Sequence, residues 1–159
     1  MRRDHLTAPT TTTTTLAPPT SASQECGEDY FYDDDSQRCY RFNYDFLSWT
    51  QARTACQEEN ADLMSIHSTG EEAILAELIL TYSPPLGRYY TWIGARRTSE
   101  TFDWVDGTQF DYSNWLQDQP APSPLDCAAF KAWQPVGWRT LLCDDETRRP
   151  SLCVRDPLK

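Results

Sequence analysis

Apolar side chains are scarce and isolated over the first 25 residues, where Thr10 to Thr15, Pro9, Pro18 and Pro19 make a polar, proline-marked tract. Such a tract has little to bury and nothing to offset the entropy of ordering it, which predicts a linker over 1–25. Beyond Cys26 the pattern changes. Tyr30-Phe31-Tyr32, the aspartates 33–35 with Ser36, and Cys39-Tyr40-Arg41-Phe42 predict a hairpin that turns at the aspartates. Ser48-Trp49-Thr50-Gln51 has the spacing of a capping box, and Trp49, Ala52 and Cys56 recur at helical intervals, so a first helix is predicted from about Trp49 to about Glu59, with Asn60 as its stop.

Leu63-Met64-Ser65-Ile66 reads as a short strand. Ser68-Thr69-Gly70-Glu71 then opens a second helix with Ile74, Leu75, Leu78, Ile79 and Tyr82 on one stripe, ended by Pro84 and Pro85. Tyr89 to Gly94 is rich in β-forming residues, and Phe102-Asp103-Trp104-Val105 before Asp106-Gly107 gives a strand into a turn. From there to Trp138 the chain reads mostly as loop. Gln119-Pro120-Ala121-Pro122-Ser123-Pro124 cannot be a helix or a central strand, because its prolines lack backbone donors. There is no internal repeat.

The net charge of −10 belongs to the part after residue 25, since Arg2 and Arg3 cancel Asp4 and Glu25. An acidic surface repels phosphate backbones and anionic head groups, which argues against nucleic acid and membrane-surface partners. The helix-like run Ala73 to Leu80 contains Glu77 and is too short to cross a bilayer, so no direct membrane insertion is expected. Six cysteines without a CxxC pair, beside only His5 and His67, read as three disulfides and not as a zinc site. Oxidised cysteines imply an extracellular, secreted or cell-surface setting, with any export signal or anchor upstream. The Thr/Pro tract suits a mucin-like stalk with O-linked sugars or an unmodified flexible tail.

Trp92-Ile93-Gly94-Ala95, Trp104-Val105-Asp106-Gly107, Asn114-Trp115 and Trp138-Arg139-Thr140-Leu141-Leu142-Cys143, in this order among the cysteines, resemble the C-type lectin-like domain in its long, three-disulfide form. The resemblance covers Cys26 to Cys153. It implies an α+β fold with two helices, two small, mostly antiparallel sheets and a long irregular loop region that carries the ligand site, here over 26–156 with 157–159 as a tail. It also implies Cys26 with Cys39, Cys56 with Cys153 and Cys127 with Cys143, one of the fifteen pairings that six cysteines allow. Trp92, Trp104, Trp115 and Trp138 match family core positions.

Calcium-binding members draw side-chain oxygens from a Glu-Pro-Asn or Gln-Pro-Asp triplet, an acid two before the next cysteine, and Asn-Asp after a tryptophan. The matching positions here hold Gln119-Pro120-Ala121, Leu125 and Arg139-Thr140, with the family's cis peptide expected before Pro120. Calcium takes six to eight hard oxygens. Ala121, Leu125, Arg139 and Thr140 mark lost ligands, and a guanidinium beside the ion would add like charge. No metal or other cofactor is therefore expected. Asp126 reads as a solvated or loop-bonded carboxylate, and Asp144-Asp145-Glu146 as an exposed turn.

Candidate ligand residues are Gln119, Asp126, Lys131, Trp133, Gln134 and Arg139: an indole to stack on a sugar or anchor a protein, a guanidinium to grip a carboxylate or sulfate. Pro122 and Pro124 would stiffen the same loop. Catalysis is not expected. His67 is the only imidazole after residue 25, and Glu58-Glu59 and Glu71-Glu72 fall at neighbouring helical positions that point outward. The expected function is recognition of a glycan or protein ligand without calcium at the usual site. The alternatives are a calcium-dependent carbohydrate-binding lectin with unconventional ligands and a structural or adhesive surface-coat domain. The ligand and the oligomeric state are not legible, although some relatives pair by exchanging the long loop.

Overall fold

The structure, a computed structural model, describes residues 26–82, 88–144 and 148–159. The linker expected over 1–25, the Pro84-Pro85 stop, and Asp145 and Glu146 of the acidic turn lie outside the described residues. The elements run β1 (Phe31–Asp33), β2 (Arg38–Leu47), α1 (Trp49–Glu58), β3 (Asp62–Leu63), α2 (Thr69–Tyr82), β4 (Thr91–Arg97), β5 (Phe102–Trp104), β6 (Cys127–Lys131), β7 (Gly137–Leu141) and β8 (Arg149–Arg155). None of the described helices is long and apolar enough to cross a membrane.

Both helices begin where their caps predict. Ser48 Oγ accepts from the Gln51 N–H at 3.2 Å while Gln51 Oε1 accepts from the Ser48 N–H at 3.2 Å, closing a capping box on α1. Trp49, Ala52 and Cys56 form its buried face. In α2 the buried residues are Glu72, Leu75 and Ile79, with Ile74 and Leu78 half-buried and Tyr82 exposed, so the stripe is rotated from the expected one and starts on a carboxylate.

The strands form one hydrogen-bonded sheet in the order β1-β2-β8-β4-β6-β7, with β3 on β8 and β5 on β4. The two small sheets that the resemblance implies meet through a parallel contact of β4 with β8 at Trp92 and Ser151. Two expectations need correcting. Strand β6, read as loop, pairs with both β4 and β7. Its Cys127, Ala128, Ala129 and Phe130 are all buried, so no polar alternation announces it. The strand expected over Leu63 to Ile66 is only Asp62–Leu63, although Met64, Ser65 and Ile66 stay buried. There β4 crosses so closely that a Cβ on Gly94 would lie 2.5 Å from the Leu63 carbonyl oxygen. The Gly94 N–H donates to the Met64 carbonyl at 2.8 Å.

Period-two alternation splits the core across the sheet. Trp92, Ala129, Cys127 and Cys153 pack against Trp49, Ala52 and Cys56 of α1. Ile93, Ala128, Phe130, Trp138 and Leu152 pack with Leu75 and Ile79 of α2. The bridges are Cys26–Cys39, Cys56–Cys153 and Cys127–Cys143, as the resemblance implies. On the chain-entropy model the second, whose cysteines are 97 positions apart, contributes roughly 4 to 5 kcal/mol.

Asp106 fastens the β5 turn to the β1–β2 hairpin. It accepts from Arg38 Nη2 at 2.9 Å, from the hydroxyls of Ser65 and Thr108, and from the Thr108 N–H at 3.0 Å. Burial pushes its carboxyl up, but the hydrogen bonds from Ser65 and Thr108, with Arg38 nearby, outweigh that and hold it below the ordinary carboxylate range. A lowered folded-state value stabilises the fold above the unfolded carboxylate's pKa and ceases to do so as pH falls through the folded value. Asp106→Asn is accordingly expected to cost about 1 to 3 kcal/mol near neutrality. It should also flatten the acid limb of a plot of urea midpoint against pH, and an unchanged acid limb would contradict this role.

Candidate functional site

Between β5 and β6 the chain runs as a long loop whose course is set by contacts with β7 and α2. Trp115 bridges to Trp138, the Trp138 N–H donates to the Asn114 carbonyl at 2.8 Å, and the Leu116 N–H donates to the Trp138 carbonyl at 2.8 Å. Gly137 permits this approach, since a Cβ there would stand 2.9 Å from the Asn114 carbonyl oxygen. The Trp138 ring lies 5.4 Å from both Trp104 and Trp115 and 5.9 Å from Tyr112, in edge-to-face packing. Trp92, Trp104 and Trp138 are buried and Trp115 packs on the core from its edge, in the core roles expected of them.

Beneath this cluster sits Glu72, which was expected to point outward and does not. Only 7% exposed, its carboxylate accepts from Trp138 Nε1 at 2.7 Å, Asn114 Nδ2 at 2.8 Å and the Tyr112 hydroxyl at 3.1 Å. Burial, followed by the Glu72 charge and hydrogen bond, pushes the Tyr112 phenol up to about 12. One carboxylate thus ties α2, β7 and the loop together. Its spacing to Leu75 and Ile79, three and seven residues on, was the available signal.

The Gln119-Pro120-Ala121 segment packs on Thr140 of β7. Gln119 Oε1 accepts from the Thr140 N–H at 3.0 Å, the Thr140 hydroxyl at 3.2 Å and the Ala121 N–H at 3.3 Å. Thr140 Oγ1 accepts from the Ala121 N–H at 2.9 Å. Peptide bonds are cis before Pro120, Pro124 and Pro135. Next to this lies a guanidinium that sequence reasoning missed: Arg97 Nε donates to Asp126 Oδ1 at 2.9 Å and Nη2 donates to the Ala121 carbonyl, with the guanidinium 4.6 Å from the Phe102 ring centre. Ser123 donates to the other Asp126 oxygen at 3.1 Å. Asp126 is therefore loop-bonded. Nothing local in the sequence marks Arg97, which reaches Asp126 only because β4 and β6 pair.

These residues do not fit a calcium ion. Ala121 and Leu125 offer no side-chain oxygen. Gln119, Asp126 and Thr140 already bond to protein donors, and a fixed positive charge lies beside them. Among the described residues there is no group of three or more His, Cys, Asp or Glu arranged to hold a metal.

The six candidates separate onto two faces of the sheet. Neighbours on a strand point opposite ways, so Thr140 meets Gln119 while Arg139 faces the α1 side, where its guanidinium lies 5.4 Å from the Tyr90 ring centre. The positive charge beside the triplet is thus Arg97 and not Arg139. Lys131 Nζ lies 5.4 Å from the Trp133 ring centre and donates to the Gln134 carbonyl at 3.3 Å. Trp133 is half-buried, edge-on to Tyr90 at 5.4 Å. A hollow of about 480 Å³ lined by Tyr30, Phe42, Tyr44 and Tyr82 lies at the other edge of the sheet.

His67 invites comparison with a catalytic relay, because its Nδ1 lies 2.7 Å from Asp111 and its Nε2 3.1 Å from Ser65 Oγ. The carboxylate can only accept, so Nδ1 donates to it. His67 holds the Asp111 carboxyl below its ordinary range. Ser65, however, is fully buried and gives its proton to Asp106, so it cannot attack a substrate.

The model of the lectin C-type domain matches residues 46–155, more than half of the chain. The chain is 33% identical over 133 residues to human C-type mannose receptor 2, an alignment that covers 80% of the chain and 8% of the receptor, so the chain spans a small part of that relative's length. It is 30% identical to the galactose-specific lectin nattectin of Thalassophryne nattereri, over 75% of the chain and 74% of the lectin. The solved herring type II antifreeze protein superposes with a TM-score of 0.72 at 31% identity, covering 84% of this chain and all of that one.

Removing the Glu72 carboxylate would leave the buried Trp138 N–H without an acceptor. Glu72→Ala is expected to destabilise the fold by about 2 to 4 kcal/mol in urea unfolding, with Glu72→Gln costing less. A change below about 0.5 kcal/mol for Glu72→Ala would contradict the anchoring role.

Proposed function

This chain belongs to the lectin C-type domain family, and from that membership we propose that it is an extracellular recognition module that binds a glycan or protein ligand with no calcium ion beside Gln119 and Pro120. The long loop from Val105 to Asp126 and the β6–β7 turn carry the recognition surface. The chain is a binding module and not an enzyme: its family and relatives are lectins and receptors, and the serine of the Ser65, His67 and Asp111 alignment is buried. Three disulfides, with relatives named as lectins and receptors, support the extracellular placement.

The observation that carries the metal-free reading is the closure of the loop on itself. In a calcium site the ion gathers loop oxygens and is exchanged with solvent. Here the gathering is done by covalently attached donors: the Thr140 amide and hydroxyl on Gln119, and the Arg97 guanidinium on Asp126 and the Ala121 carbonyl. A calcium ion would have to break these bonds and lie against a fixed cation. The loop is held in shape for a partner at no cost in metal affinity.

Calorimetric titration with calcium is expected to give no saturable heat up to millimolar concentration. Binding on a glycan array, or to a protein ligand found by ectodomain screening, is expected to be the same with and without chelator. Chelator-sensitive binding, or a micromolar calcium site, would overturn this proposal.

A further inference from the structure

We infer that the α1-side face of the sheet carries a separate binding site for an anionic saccharide, formed by Lys131, Trp133 and Arg139 around Tyr90, with the ligand's sulfate or carboxylate held by the two cations. This rests on the chain being a recognition module and names a class of ligand for it. It does not involve the Gln119–Thr140 side, which lies across the sheet.

The chain is acidic, and the ion pairs among the described residues use Arg38, Arg41, Arg53, His67 and Arg97. Arg139 and Lys131 belong to none of them: both lie beside rings, and Lys131 also donates to the Gln134 carbonyl. Arg139 lies 5.4 Å from the centre of Tyr90, Arg149 lies 5.7 Å from the same ring, and Lys131 lies 5.4 Å from Trp133, which itself meets Tyr90 edge-on. A guanidinium carries its N–H donors in a planar fork that suits a planar or tetrahedral anion. The Arg139 Nε is buried without a hydrogen-bond partner among the described residues, so a ligand would meet the terminal nitrogens of the guanidinium.

Register supplies the spacing. Arg139 stands opposite Ala129 and Lys131 opposite Gly137, so the two cations are diagonal neighbours on one face, about 7 to 8 Å apart at their bases. Each lies across from a residue with almost no side chain, which leaves their stems room over the sheet. That span suits one charged group on one or two sugar rings. A long polyanion would run on to a surface of net charge −10 and be repelled there. The half-buried indole of Trp133 beside the cations offers an apolar surface to the sugar ring that bears the anion.

The test is calorimetry in chelator with a 6-O-sulfated lactosamine disaccharide, its neutral parent, inorganic sulfate and a sulfotyrosine peptide, on wild type and on Arg139→Gln and Lys131→Gln. The sulfated disaccharide is expected to bind at least tenfold more tightly than the neutral parent, free sulfate and the peptide, and each substitution is expected to weaken it about tenfold. Near-UV circular dichroism checks the fold, and if Arg139→Gln does not fold, the more peripheral Lys131→Gln decides alone. Equal binding of the neutral parent, unaltered binding by a folded variant, tighter binding of the peptide, or no binding at millimolar concentration would each overturn the site. A calcium-dependent signal elsewhere, with this binding intact in chelator, would instead sink only the metal-free reading above.

Discussion

The carboxylate of Glu72 is the point on which the upper half of the molecule depends. A charged group out of water is tolerable only when its oxygens are met by donors, and here the donors come from three segments far apart in sequence: Trp138 on β7, and Asn114 and Tyr112 in the long loop. Each of those donors would itself be costly to bury alone. Helix, strand and loop are therefore fixed together, because no one of them can move without orphaning a buried group. The tryptophan cluster above the carboxylate supplies apolar burial, and the hydrogen bonds give that burial a single geometry.

With the loop so placed, the segment around Pro120 falls against Thr140, and on the metal-free proposal local donors do the work that an ion would do in a calcium site. The exchange has a physical logic. A divalent ion orders a loop only while bound, whereas Arg97 and Thr140 are part of the chain and order it under all ionic conditions. On the metal-free proposal, what is given up is an ion's capacity to coordinate ligand oxygens directly. On that proposal recognition rests on side chains, and the sheet face bearing Arg139, Lys131 and Trp133 sets two cations beside aromatic surface.

Much of the frame was legible. Capping boxes placed the starts of α1 and α2, the aspartate turn placed the β1–β2 hairpin, and the tryptophan and cysteine order led to the family, its fold and its disulfides. What was not legible shares a cause. Strand β6 is buried on both sides and carries no alternation, so its sequence is indistinguishable from a short apolar loop segment. Glu72 looked like one of two solvated acids because charge is normally a sign of exposure, and its partners lie 40 or more positions away. Arg139 was placed beside the triplet because Arg139-Thr140 matches the family's Asn-Asp pair after a tryptophan, and a strand sends adjacent side chains to opposite faces.

The sequence by itself determined the family, the two helices, the stapling of the domain and the loss of calcium-type ligands at Ala121 and Leu125, because these depend on residue identity and short-range spacing. Only the tertiary structure decided which oxygens are still available, which cation stands beside them and which candidates share a surface. Those are properties of pairing between strands: register brings Arg97 to Asp126 and Arg139 to Tyr90, and no local pattern encodes a contact whose two halves are separated by tens of residues.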